Sequence, residues 1–99
     1  MKNNNLIKVI GLIGSLLLTP GYAEDGVTAT EIIIGGVMDL EGRSSGLGLG
    51  MKAGIEAAFK DQIIAGRKLR FVAANDSYTP EKAVAATKNL IEQKVLLFA

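Results

Sequence analysis

The chain has 99 residues with 11 basic and 10 acidic side chains, so its net charge is only +1. This length allows at most one small domain, and the balanced charge gives no broad basic field for a nucleic acid. An apolar content of 48% argues against disorder. Because the sequence has neither Cys nor His, it excludes disulfides, zinc sites of the Cys/His type, cysteine nucleophiles and histidine-based triads.

The first 23 residues have the three parts of a secretory signal peptide. A polar start carries Lys2 and Lys8, an apolar run follows at 9–18, and small residues precede a possible cut after Ala23. The run is about half the ~20 apolar residues that a membrane-spanning helix needs, so a membrane anchor is the weaker alternative. We predict cleavage after Ala23 and export to the periplasm, without a lipid anchor because no Cys stands at the junction.

The first predicted strand is Glu31–Met38, a run rich in β-branched residues. Gly35 and Gly36 within it indicate that another part of the chain packs against the backbone there. The next residues, 39–50, are rich in Gly and Ser and predict a loop at the carboxyl end of this strand.

A helix is predicted to begin near Met51 and to fade near Ile64, with Gly66 just beyond its end. Apolar residues recur at helical spacing on one face, and charged residues four positions apart mark the opposite face. The apolar stripe consists of Met51, Gly54, Ile55, Ala58 and Phe59, and the charged face of Lys52, Glu56 and Lys60.

Residues 68–74 are the second predicted strand, and their alternating charged and apolar side chains are typical of an edge strand. A second helix is predicted to begin with Thr79 as its N-cap and Pro80 as its first residue. The third predicted strand is 95–99. The apolar positions of the second helix are Ala83, Val84, Thr87, Leu90 and Ile91.

The order β-α-β-α-β predicts an α/β fold, an open three-layer parallel sheet with right-handed crossovers and strand order 2-1-3. Three strands and two helices are too few to cover both faces of a parallel sheet. We therefore expect residues 24–99 to be an incomplete domain, the first part of a larger protein. A non-functional product of a truncated reading frame is the alternative.

Glycines at positions 46, 48 and 50 could belong to a dinucleotide-binding turn. Such a turn needs its glycines directly after a strand and an acidic residue about 20 positions later, and the sequence offers neither. An exported oxidoreductase with a dinucleotide-binding half-domain is therefore the weaker alternative. The glycines are expected to give a flexible loop and close helix–strand packing at Gly54.

Two loops at the carboxyl ends of the first two strands form the candidate ligand site, because open α/β sheets bind ligands there. The first loop offers the hydroxyls of Ser44 and Ser45, and the second offers Tyr78 as an apolar wall with a polar tip. An ordinary solvated loop and a Tyr packed over the sheet edge are the alternatives. The sequence brings no acid–base pair, nucleophile–base pair or metal cluster together, so we expect no enzyme, cofactor or metal.

Five stretches of the sequence resemble the periplasmic binding proteins of the leucine/isoleucine/valine-binding type. They are VTATEI at 27–32, GMKAGIEAAF at 50–59, GRKL at 66–69, NDSYTPEKAV at 75–84 and NLIEQKV at 89–95. Behind the predicted signal peptide at 1–23, the resemblance covers 27–99 and implies that residues 24–99 are the first part of lobe I of a type I periplasmic binding protein. The sequence departs from the family before Gly66, where the family usually has an Asn and a Gly-Gly turn.

The resemblance also implies a function, a site and partners. The protein would be the solute-binding component of an ABC importer for an amino acid or similar small polar ligand, with a membrane permease as partner and no nucleic acid. Ser44, Ser45, Gly46 and Tyr78 would line the cleft between two lobes. The main clamp of the family follows the third strand, beyond Ala99, so residues 24–99 alone are expected not to bind detectably. A ligand-sensing domain of a receptor is the alternative.

Overall fold

The computed structural model describes residues 24–99, which form one open, mixed sheet with two helices. The predicted signal peptide, residues 1–23, lies outside the described residues. In chain order the elements are β1 (Glu31–Met38), α1 (Ser45–Phe59), β2 (Ile63–Ile64), β3 (Arg67–Asn75), α2 (Pro80–Glu92) and β4 (Leu97–Phe98).

The sheet has the order β2-β3-β1-β4 and is parallel except at the β2 edge, which confirms the predicted α/β class. The three predicted strands lie in the predicted order, with the first of them in the middle. β1 and β3 pair over their length, from Glu31 opposite Lys68 to Met38 opposite Asn75. Because Met38 and Asn75 are paired and end their strands, the residues that follow them leave the sheet side by side.

β2 is an antiparallel strand that the sequence pattern did not predict. α1 ends at Phe59, and Ile63–Ile64 pair with the first two residues of β3. Ala65 and Gly66 connect them with φ values of 51° and 78°, the two positive angles of a type I′ hairpin turn. The prediction that Gly66 follows a helix end is therefore wrong, because the positive φ of this glycine serves a hairpin instead.

α1 begins at Ser45, so residues 45–50, which we expected in a loop, are helical. A Gly costs about 1 kcal/mol relative to Ala in a helix, so a tertiary contact must favour the helix here. Gly48 makes that contact, because it is buried and a Cβ on it would overlap the carbonyl group of Asp39. The close packing expected at Gly54 is wrong, since this residue is exposed with open space around it.

Only part of the apolar stripe predicted for α1 turns toward the sheet. Ile55 and Phe59 are half-buried, whereas Met51, Gly54 and Ala58 are exposed. The reason is that α1 packs through Gly48, which turns the rest of the predicted stripe outward. The helical spacing of the predicted stripe is therefore confirmed, but fewer of its residues face the sheet than predicted.

The core is built around β1, and its buried apolar side chains are Ile34, Met38, Leu90 and Val95. A Cβ on Gly35 would lie 3.2 Å from Leu90 Cδ1, and a Cβ on Gly36 would lie 2.6 Å from Phe71 Cζ. These distances confirm that other elements pack directly against the backbone at both glycines. A larger residue at either position would push the packed side chains off the strand.

α2 begins as predicted, with Thr79 just before it and Pro80 in its first position. Its buried side is narrower than predicted, because Val84 and Ile91 are 55% and 59% exposed. Leu90, with 1% of its surface exposed, is the residue that fixes this helix on the sheet.

Candidate ligand-binding site

The two loops singled out in the sequence meet at the carboxyl end of the sheet. β1 leads into residues 39–44 and β3 leads into residues 76–79. The N–H of Asp76 donates to the carbonyl oxygen of Met38 at 2.9 Å, so the parallel pairing continues one residue beyond the strands. This is the end of an open α/β sheet at which ligands bind.

The side chain of Asn75 joins the two loops into one unit. Its Oδ1 accepts hydrogen bonds from the N–H of Leu40 at 2.8 Å and from the N–H of Ser77 at 3.0 Å. Its Nδ2 donates to the Ser77 hydroxyl oxygen at 2.8 Å. One half-buried amide therefore fixes the start of each loop relative to the other.

Asp39 shapes the first loop from the inside. Its carboxylate is part of a residue only 5% exposed. Oδ1 accepts from the N–H of Glu41 at 3.2 Å and of Gly42 at 2.5 Å, and Oδ2 accepts from the N–H of Ser44 at 2.7 Å. Hydrogen bonds to an ionised carboxylate are about twice as strong as neutral ones. Asp39 is therefore the residue around which the loop folds.

A shallow depression of about 180 Å³ lies between the two loops and the start of α1. Ser44 and Tyr78 both line it, so the structure brings these two predicted site residues together. Ser45 and Gly46 follow in the first turn of α1 and are outside its lining. The lining residues are Val37, Met38, Asp39, Ser44, Leu47, Gly48, Met51, Asp76 and Tyr78.

Tyr78 stands out from the second loop and is 54% exposed. Its φ is 60°, a left-handed conformation, and its N–H donates to Oδ1 of Asp76 at 2.8 Å. The guanidinium carbon of Arg43 lies 4.6 Å from the centroid of the Tyr78 ring, within the range of a cation–π contact. The aromatic ring that lines the depression therefore carries a cation against it.

The groups at this site suit non-covalent binding of a small molecule. Apolar side chains line part of the depression, Ser44 and Tyr78 add a hydroxyl and a phenol, and the Arg43 guanidinium lies against the Tyr78 ring. Such a combination orients a small ligand through a few polar contacts. Within residues 24–99, no three acidic side chains come close enough to hold a metal ion. The glycines at 46, 48 and 50 lie inside α1, whereas a dinucleotide-binding turn needs them between strand and helix.

A larger cavity, of about 550 Å³, lies at the opposite end of the sheet. It is enclosed by the end of α1 and the β2–β3 hairpin, and Phe59 and Phe71 form part of its apolar surface. The part of β3 that lines this cavity is 68–71, in the first half of the strand, away from the end at which open α/β sheets bind ligands. The smaller depression is therefore the better candidate site.

Sequence reasoning missed three residues that organise the site, namely Asp39, Asn75 and Arg43. A partial signal existed for the first two, because an Asp or Asn followed closely by Gly or Ser is typical of turns in which the side chain accepts backbone N–H bonds. The contact of Arg43 with Tyr78 joins residues 35 positions apart, so it depends on the strand register.

No helix of the described part, residues 24–99, combines the length and the apolar character needed to cross a membrane.

Comparison with known proteins agrees with this architecture. None of the curated proteins compared by sequence matches the chain. Among solved structures, the fatty acid ABC transporter substrate-binding protein from Thermomonospora curvata is similar, with a TM-score of 0.68 and 25% sequence identity over 77% of this chain. The similar region is 20% of that protein, so the present chain spans about a fifth of its length. The family model for periplasmic binding proteins matches residues 31–99, and the chain therefore belongs to the periplasmic binding protein family.

Proposed function

We propose that the protein is the substrate-binding component of an ABC importer. In this proposal residues 1–23 are a signal peptide cut after Ala23, and residues 24–99 are the first part of lobe I in the periplasm. The observation that carries the proposal is the depression at the carboxyl ends of β1 and β3, built by two hydrogen-bonded loops in a member of a solute-binding family. A membrane permease would be the partner that receives the ligand.

The proposed ligand is an amino acid or a similar small polar molecule. The depression of about 180 Å³ is small, Ser44 in its lining carries a hydroxyl, and Arg43 adds a guanidinium over the ring of Tyr78. The similar solved structure is described as a fatty acid binder, which makes a fatty acid the second candidate. Leu47 and Met51, which are 71% and 52% exposed, would contact an alkyl chain in that case.

Residues 24–99 supply one wall of the proposed site: Ser44 and Tyr78 line the depression, and Ser45 and Gly46 follow in the first turn of α1. Affinity in a two-lobed site comes from enclosing the ligand and bonding it from both sides, which desolvates its charged groups. Losing two charge-assisted hydrogen bonds at about 1.5–3 kcal/mol each weakens binding by roughly 10²- to 10⁴-fold. We therefore expect the full affinity for the ligand only in the complete polypeptide encoded by the gene.

The experiment is isothermal titration calorimetry on that complete polypeptide with leucine, other amino acids and decanoate. In the variant Tyr78→Ala, lost contact area should weaken binding by about 1–2 kcal/mol, or roughly 5- to 30-fold. Val84→Ala is the matched control, because Val84 is 55% exposed and Tyr78 54%, and Val84 lies outside the depression.

Three results are decisive. Binding of an amino acid that falls in Tyr78→Ala and is unchanged in Val84→Ala supports both the function and the site. Binding of decanoate without binding of any amino acid shows that the ligand class is wrong and the transport role stands. Equal affinity of Tyr78→Ala and the unmodified protein shows that Tyr78 packs on the fold and contributes nothing to the site.

A further inference from the structure

Arg43 is exposed, and its guanidinium lies over the ring of Tyr78, which lines the depression. At 4.6 Å from the ring centroid, the guanidinium carbon lies over the aromatic face. A cation–π contact does not use the N–H groups of a guanidinium as hydrogen-bond donors to an oxygen, so these donors are available to another partner.

Two carboxylates of these loops, those of Asp39 and Asp76, accept hydrogen bonds from the backbone. Asp39 accepts three N–H bonds, and Asp76 accepts one from Tyr78. The two ion pairs found in residues 24–99 are Lys52 with Glu56 and Arg70 with Glu31, and both lie elsewhere. Within the described residues, Arg43 therefore carries a positive charge without an anionic partner.

We infer that Arg43 recognises the carboxylate of the ligand and that Tyr78 positions the guanidinium for it. This inference rests on the proposed function and narrows its substrate class to molecules that carry a carboxylate. The fork of N–H donors on Arg matches the two oxygens of a carboxylate, which gives two parallel charge-assisted bonds. Amino acids and fatty acids share this group, so the inference holds for either source.

The loops that carry the two side chains are held by their own hydrogen bonds. The loop that carries Arg43 is folded around the buried carboxylate of Asp39. The turn that carries Tyr78 is held by the N–H bond to Asp76 and by the side chain of Asn75. Ordering these groups in advance lowers the entropy that binding would otherwise cost.

The test compares carboxylates with their neutral amides on the complete polypeptide. Calorimetry is carried out with leucine and leucinamide and with decanoate and decanamide. Whichever of the two pairs the protein binds, Arg43→Met should lower the affinity for the carboxylate about 10- to 100-fold. The affinity for the corresponding amide should stay the same. Arg43→Lys should recover only part of the loss, because an ammonium lacks the planar fork. Lys88→Met is the control for net charge, since Lys88 lies on α2 outside the depression.

A second variant tests the positioning role and does not depend on changing Arg43. Tyr78→Leu keeps an apolar side chain and removes the aromatic face, so it should lower the affinity for the carboxylate more than the affinity for the amide. Equal loss for both ligands would mean that Tyr78 only supplies contact area, and that part of the inference is overturned.

The failures are distinguishable. If the unmodified protein binds a carboxylate and Arg43→Met binds it equally well, the inference is wrong and the proposed function stands. The same holds if the unmodified protein binds the amide as tightly as the carboxylate. If the unmodified protein binds none of the four probes, the proposed function fails for these ligands, and the role of Arg43 fails with it.

Discussion

Replacing Gly48 by Ala should destabilise the protein although Ala favours helices. A Cβ at position 48 would overlap the carbonyl oxygen of Asp39 and lie 2.7 Å from its carbonyl carbon and 3.1 Å from its nitrogen. These are backbone atoms, so no side-chain rotation relieves the clash. Overpacking of this kind costs about 1–3 kcal/mol or more, against a helix-propensity gain of about 1 kcal/mol. Because the overlap is with backbone atoms, the cost should lie in the upper part of this range, about 2–3 kcal/mol, and the net loss should be about 1–2 kcal/mol.

Gly54→Ala is the matched control, because Gly54 lies in the same helix and a Cβ there meets nothing within 4 Å. Without a clash only the propensity gain is left, and this variant should be more stable by about 0.5–1 kcal/mol. The assay is urea unfolding of the complete polypeptide followed by circular dichroism, with unchanged m-values as the condition for comparison. A Gly48→Ala protein at least as stable as the unmodified one would refute the packing argument, as would equal destabilisation by both substitutions.

Two further predictions concern the loop bridge and the leader. Asn75→Ala leaves the N–H groups of Leu40 and Ser77 without their acceptor, so the free energy of unfolding should fall by about 1–3 kcal/mol. Asn75→Asp keeps the acceptor oxygen and should lose less stability in the same urea titration. Equal losses in the two variants would contradict the role of Oδ1. N-terminal sequencing of the exported protein should begin at Glu24, and recovery of exported protein that still begins at Met1 would show that the cleavage prediction is wrong.

The order of strands and helices could be read from the sequence because each rests on local patterns. Glu31–Met38 is a short run rich in β-branched residues, and Pro is favoured at the first position of a helix, where Pro80 stands in α2. The hairpin was missed for a physical reason: Ile63 and Ile64 are only two residues long as a strand, and apolar residues continue a helical pattern just as well. Their pairing with β3 decides between the two, and pairing is a tertiary property.

The early start of α1 was missed for a related reason. Three glycines in six residues predict a loop by propensity, and the contact between Gly48 and the backbone of Asp39 outweighs this local preference. The meeting of Ser44 and Tyr78 could be predicted, since it follows from the rule for strand ends in parallel sheets. The hydrogen bonds that hold their loops could not, because Asn75 reaches Leu40 only at the register that the folded sheet adopts.

The type I′ turn at Ala65 and Gly66 gives a point of attachment for reporter groups. It lies at the start of β3, and the site lies at its end, about 25 Å away for a strand of nine residues. Exposed hairpin turns far from a binding site tolerate added groups well. Because this chain has no Cys, Ala65→Cys would place a single thiol there. A fluorophore on that thiol, paired with one on a second lobe, would test by energy transfer for the lobe closure that the proposed function requires, and it would leave the loops at 39–44 and 76–79 unchanged.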